Sequence, residues 1–140
     1  MTESGGQNLA GQNLVSASFR GEILADADLS GTTLVQADML NCDLSGANLK
    51  GADLTGADLT DADLSGACLI DANLTRTRLR GALFSGADLT GAVLAQTDLQ
   101  DADFTGAKLD AEKLDLTGAR AWQQARWDAP VLEALKAKYG

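Results

Sequence analysis

The chain has 140 residues, enough for one domain, and carries 20 acidic against 11 basic side chains for a formal net charge of −9. It contains no histidine, which excludes Ser-His and Cys-His nucleophilic pairs and imidazole metal ligands. The acidic balance has the wrong sign for direct DNA or RNA binding, and no apolar run has the length a membrane helix needs.

The N-terminal residues lack the basic and apolar regions of a signal peptide. Residues 1–6 read as a flexible terminus, and the expected compartment is the cytoplasm. From Leu9 to Leu114 every fifth residue is Leu, Phe or Met: twenty-two consecutive pentads, with Phe19, Met39, Phe84 and Phe104 as the exceptions to Leu. That spacing fits neither the 3.6 period of an amphipathic helix nor the 2.0 period of a strand. A repeat held this long marks a solenoid, in which each unit buries itself against its neighbours.

Within a pentad such as Ala52-Asp53-Leu54-Thr55-Gly56, the slot two residues before the central Leu is Ala in fourteen cases, and the slot between them is Asp in nine and Asn in four. Small-polar-large is the alternation of a three-residue strand whose first and third side chains share a face. Ala and Leu therefore point inward, and Asp or Asn points to water. Two corner residues follow, the second of them Gly in eleven pentads. Gly suits the positive φ of a type II turn, and a different turn is expected where Asp26, Gln36, Asp61, Asp71, Arg76 or Asp101 stands there. Ser and Thr in the other corner slot are expected to satisfy exposed backbone groups. The period alone does not give the number of edges per coil.

The run Ala47-Asn48-Leu49-Lys50-Gly51, Ala52-Asp53-Leu54-Thr55-Gly56, Ala57-Asp58-Leu59-Thr60-Asp61 resembles the A(D/N)LXX signature of the pentapeptide-repeat proteins, and the likeness covers about residues 7 to 116. It implies an all-β solenoid: a right-handed quadrilateral (four-sided) β-helix over residues 7–117, with about five and a half coils and a length of about 26 Å. Leu49, Leu54, Leu59, Leu64, Leu69 and Leu74 then form the central core stack. Cys42 falls on an inward slot and Cys68 on an outward one in another coil, so no disulfide is expected.

Four-sided coils would stack residues twenty apart, giving an outward column Ser18, Asp38, Asp58, Arg78, Asp98. Carboxylates about 4.8 Å apart repel by roughly 0.9 kcal/mol in water, and Arg78 relieves that repulsion. Arg76, Arg78 and Arg80 make a basic spot that either anchors an acidic group of a partner or only compensates the ladders. Val15, Val35 and Leu40 are outward apolar residues that form a candidate contact patch; Ile23, Ile70, Leu83 and Val93 are further outward apolar positions. These six (Arg76, Arg78, Arg80, Val15, Val35, Leu40) are the candidate partner-binding residues.

The ends depart from the repeat. Gln7, Gln12 and Glu22 occupy inward slots of the first coil, and Glu112 does so in the last. Either they mark coil ends next to water, or the N-terminal coil makes a head-to-head dimer; a monomer is the first reading. Residues 118–140 are expected to form a helical cap, with Asp128 as N-cap, Pro130 in the first turn, and Trp122, Trp127, Val131, Leu132, Leu135 and Tyr139 as its apolar side. A protein-binding helix is the alternative.

No catalytic, cofactor or metal site is expected, since the carboxylates recur on a convex surface and the interior is filled by Leu and Ala. No phosphate loop or EF-hand pattern is present. The expected function is a non-enzymatic, rigid, acidic protein–protein interaction module. The alternative implied by the resemblance is a DNA mimic that occupies a type II topoisomerase such as gyrase.

Overall fold

The structure, a computed structural model, describes residues 6–140. The expected flexible terminus lies outside the described residues except for Gly6, whose N–H donates to Ala25 O at 3.0 Å, placing it in the first coil. Parallel bridges join the middle residue of each pentad to the one twenty residues on, from Asn8↔Asp28 to Asp88↔Lys108. Four such ladders run through the chain, starting at Asn8, Asn13, Ser18 and Ile23. Each edge is a single bridged residue, not the expected three-residue strand. Only three residues separate successive corners, so only the middle one pairs both of its backbone groups with a neighbouring coil.

Each corner is closed by a hydrogen bond from the next inward residue to the preceding Leu, as in Ala47 N–H to Leu44 O at 3.0 Å. Corners without glycine keep both features of the turn. Ala27 N–H still donates to Leu24 O at 3.1 Å across Asp26, and φ is 58° at Asp26, 59° at Gln36 and 59° at Arg76. The expected change of turn is therefore absent from the closing bond and from the sign of φ. Asp and Asn tolerate the left-handed region because their short polar side chains fit it; Arg76 and Gln36 sit there because the coils above and below dictate the corner.

The corners interact along the axis. The Asp26 carboxylate lies where a Cβ on Gly46 (φ 68°) would go, whereas Gly66, also at φ 68°, has only the Gly46 amide nitrogen at 4.0 Å. Gly46→Ala is thus expected to destabilise more than Gly66→Ala in denaturant unfolding, because both carry the cost of positive φ and only Gly46→Ala must displace a carboxylate. The difference should vanish in an Asp26→Gly background; equal losses in the native background would refute the corner coupling.

The signature Asp has a specific task. Asp28 Oδ1 accepts the Ser30 N–H at 3.0 Å and the Ser30 hydroxyl at 2.6 Å, and Asp43, Asp53, Asp58 and Asp88 repeat the arrangement with Ser45, Thr55, Thr60 and Thr90. The carboxylate, not the Ser or Thr hydroxyl, satisfies the corner N–H, which corrects the sequence expectation. The Ser30 and Thr90 hydroxyls, followed by their backbone N–H groups, hold the Asp28 and Asp88 carboxyls below the ordinary range.

Inside, the inward Leu and Ala form one continuous core; Leu49, Leu54, Leu59, Leu64, Leu69 and Leu74 are all 0 % exposed. Thr32, Thr77 and Thr97 are buried in Ala slots, and each hydroxyl donates to the carbonyl three residues back (Leu29, Leu74, Leu94) at 2.7–2.8 Å. That bond removes the cost of a buried hydroxyl. Cys42 is buried and Cys68 half-buried, and both are free. Burial pushes the Cys42 thiol up to about 12, so it is an inert core residue.

The repeat slips after Leu109. Residues 110–113 make an extra turn, closed by Leu114 N–H to Asp110 O at 2.9 Å, and the next bridge joins Val93 to Asp115. The twenty-second pentad is therefore not centred on Leu114: Leu114 and Leu116 flank the bridged Asp115, and both are buried. Glu112, expected in an inward slot, is exposed in the extra turn. The coil path also continues past residue 117, because Asp98↔Arg120 and Asp103↔Arg126 extend two ladders into the stretch expected to be cap.

A short 3-10 turn, Trp122–Gln124, and helix α1, Ala129–Tyr139, close this end. Trp127 is a rung, not a plug: Phe84, Phe104 and Trp127 stack with centroids 4.5 and 4.4 Å apart and planes within 5°. Helix α1 covers the last coil with the fully buried Leu135 and the partly buried Val131, Leu132 and Tyr139, while Trp122 is buried beside Tyr139. Asp128 stands at the N-cap position without capping the helix; its carboxylate accepts the Gly106 N–H at 3.1 Å. The Lys138 ammonium and the Tyr139 hydroxyl both donate to Leu114 O, at 2.9 and 3.1 Å, and the Tyr139 oxygen accepts the Leu116 N–H at 2.9 Å. These side chains take the backbone groups that a further coil would have paired.

Candidate functional site

The six candidate residues converge on one side of the coil. The ladder Ser18↔Asp38↔Asp58↔Arg78↔Asp98↔Arg120 runs along this face. Val15, Val35 and Arg76 stand at the corner before it, and Leu40 and Arg80 at the corner after it, each pair being set by the twenty-residue register. The sequence linked only Arg78 to this column; Arg20 and Arg120, which it did not single out, belong here too. The signal that finds Arg20 is its sixty-residue offset from Arg80, three full coils. Arg120 is hidden from such counting by the slip at residues 110–113.

This face and its two corners hold five of the six arginines, Arg20, Arg76, Arg78, Arg80 and Arg120. They also hold the acids Asp38, Asp58, Asp61, Asp98 and Asp101, so the face is neutral and the net charge of −9 lies on the rest of the chain. Arg20 pairs tightly with Asp38 at 2.9 Å. The other pairs are looser: Arg78–Asp58 3.7 Å, Arg80–Asp98 3.8 Å and Arg120–Asp98 3.5 Å. With guanidinium side chains 54–76 % exposed, such pairs contribute about 0–1 kcal/mol each and break at little cost. Among the described residues Arg76 has no carboxylate within ion-pair distance. Val15 is 47 % exposed beside the half-buried Val35 and Leu40. The face thus combines weakly committed guanidiniums with a small apolar patch about two coils away.

The remaining outward apolar residues do not join it. Ile23 and Leu83, 39 % and 43 % exposed, lie on the next face, three coils apart. Val93 borders a cavity of about 340 Å³ opened by the slip, between Leu89–Val93 and Asp110, Lys113 and Leu114. The regular repeat does not predict this concavity, which exists only because one corner is displaced. Among the described residues no three His, Cys, Asp or Glu side chains gather as a metal site would.

The pentapeptide-repeat family model matches eight copies across this chain, over residues 8–39, 23–61, 37–76, 72–110 and 82–120. The chain belongs to the pentapeptide-repeat family. Among solved pentapeptide-repeat structures, one from the Arabidopsis thaliana thylakoid lumen is 34 % identical, with a TM-score of 0.71 over 80 % of this chain and 83 % of that one. HetL, a pentapeptide-repeat protein involved in heterocyst differentiation regulation from the cyanobacterium Nostoc sp. strain PCC 7120, is 31 % identical over 85 % of this chain and 59 % of its own, with a TM-score of 0.46. QnrB1, a plasmid-mediated fluoroquinolone resistance protein, is 24 % identical over 86 % of this chain and 76 % of its own, with a TM-score of 0.50, a likeness of fold. No curated protein sequence matches the chain. No helix among the described residues is long and apolar enough to cross a membrane.

Proposed function

We propose that this pentapeptide-repeat protein is a non-enzymatic, rigid interaction module, a right-handed quadrilateral β-helix that docks a protein partner through its arginine face. One observation carries the reading: Arg76, Arg78, Arg80, Val15, Val35 and Leu40 share one face, and that face is neutral on an otherwise acidic rod. Its partner surface would offer carboxylates to the guanidiniums and an apolar contact to the two valines and Leu40. Arg is suited to this role because its planar fork binds carboxylates bidentately.

The test is capture of partners from a lysate of the source organism. Arg76→Gln with Arg78→Gln should abolish capture of the partner retained by the native protein, while loss of the loose Arg78–Asp58 pair costs only about 0–1 kcal/mol of stability. Asn48→Lys with Asn73→Lys, on two other faces, should leave capture intact. Equal loss from both pairs would sink the assignment of the face.

DNA mimicry of a type II topoisomerase substrate is the second reading, and it rests on the net charge of −9 outside the arginine face. The ladders weaken it, because Arg78, Leu83, Val93 and Cys68 interrupt them and no face presents more than two successive carboxylates. Unchanged gyrase supercoiling at micromolar protein would remove it for that enzyme.

A further inference from the structure

The two ends of the solenoid are not alike. From Asp28 to Lys108 the middle residue of each edge turns both backbone groups toward the preceding coil: Asp28 N–H donates to Gln7 O at 2.8 Å, and Asp28 O accepts the Leu9 N–H at 2.8 Å. The middle residues of the first coil, Asn8, Asn13, Ser18 and Ile23, find no backbone partner for either group among the described residues. The core is also open there. Leu14 and Phe19 are only half-buried, whereas Leu34 and Met39, the next residues in their columns, are 0 % exposed. An open edge of this kind is a template for pairing.

We propose that this rim is the interface of a head-to-head homodimer. Helix α1 and the Lys138, Tyr139 and Asp128 side chains close the other end, so a second copy cannot add head to tail and an unlimited fibre is blocked. Two rims facing each other across a two-fold axis run antiparallel. A residue that presents both N–H and C=O to the rim then exchanges both bonds with the residue opposite. An axis through the Asn8 and Ser18 edges sets each of these against itself and Asn13 against Ile23. Glu22 then shares an edge with Gln12 of the second copy, whose amide can donate to the carboxylate. Placing the axis through the Asn13 and Ile23 edges would put the two Glu22 carboxylates on one pair of edges, so the first arrangement is favoured. Charge selects this end too. Residues 6–25 carry only Arg20 and Glu22, whereas residues 26–45 carry four acids and no base, so the rims meet without the repulsion of the rod behind them. This proposal is independent of the arginine face.

Light scattering on the purified full chain, at micromolar concentration and upward, should give twice the 14.5 kDa mass of one chain. Asn8→Asp preserves the acceptor that holds the Ala10 N–H, at 3.1 Å in the native protein, yet sets two carboxylates face to face. It should weaken the dimer by about fivefold, while Asn48→Asp, two coils along the same ladder, should not. Ser18→Cys in a Cys68→Ser background should give a disulfide-linked dimer on mild oxidation. A monomer at all concentrations overturns the proposal, as does a dimer that Asn8→Asp leaves intact and Ser18→Cys fails to cross-link. Slow amide exchange at the four rim residues in a monomer also overturns it, by showing that the chain's own N-terminal stretch covers the rim.

Discussion

Trp127→Ala is expected to destabilise the protein by about 3–5 kcal/mol, the range for truncating a buried aromatic side chain. Trp127 is only 9 % exposed, continues the stack of Phe84 and Phe104 with a centroid spacing of 4.4 Å, and donates from its indole nitrogen to Trp122 O at 2.9 Å. Its removal leaves Phe104 without a covering rung and unseats the segment that leads into α1. For a chain of this size the loss corresponds to a fall in the unfolding midpoint on the order of 10 °C. Trp127→Phe keeps the stack and forfeits the hydrogen bond, so it should cost about 1 kcal/mol. Thermal unfolding of the two variants decides the point. A Trp127→Ala midpoint equal to the native one would mean that the C-terminal segment packs independently of the coil.

Leu59→Ala should cost about 2–5 kcal/mol, because Leu59 is 0 % exposed in the middle of the solenoid and its column neighbours cannot collapse onto the space it vacates. Thr60→Ala, on the adjacent corner, should cost about 1 kcal/mol or less. It removes the hydroxyl donor to Asp58 Oδ1 at 2.6 Å but leaves the Thr60 backbone bond to the same oxygen at 3.0 Å. Chemical denaturation read by circular dichroism separates them. Similar losses for the two would show that the inward and outward assignment of the pentad is wrong.

The inward and outward assignment was legible because it depends on spacing alone. Leu24, Ala27, Leu29 and their successors as far as Phe104 are buried where the pentad places them, and Asp28, Asp38 and Asp43 stand outside. The last coil was not legible, because period counting assumes that no residue is inserted. Leu114 satisfies the five-residue rule by coincidence, whereas Leu116, outside the rule, is the true continuation after the turn at residues 110–113. Trp127 could not be recognised as a rung for the same reason: it follows Phe104 by 23 residues instead of 20, and only the stacked rings reveal the correspondence. At Asp128 local pattern and long-range demand competed. An Asp before Ala-Pro reads as a helix cap, but the corner N–H of Gly106 lacked a coil above it and drew the carboxylate away.

The candidate site divides along the same line. Arg76, Arg78, Arg80, Val15, Val35 and Leu40 each stand out in the sequence as departures from an outward polar slot, a property of one position at a time. That they share a face with Arg20 and Arg120, and that this face is neutral, depends on which residues lie above one another. The five-residue repeat by itself determined the solenoid, its filling and its polar skin, since a side chain's direction follows from its place between two corners. Tertiary structure alone decided the twenty-residue register, the slip in the last coil and the closure of one end. Those depend on how many edges close a coil and on which backbone groups remain unpaired, and both are settled by contacts between residues far apart in the chain.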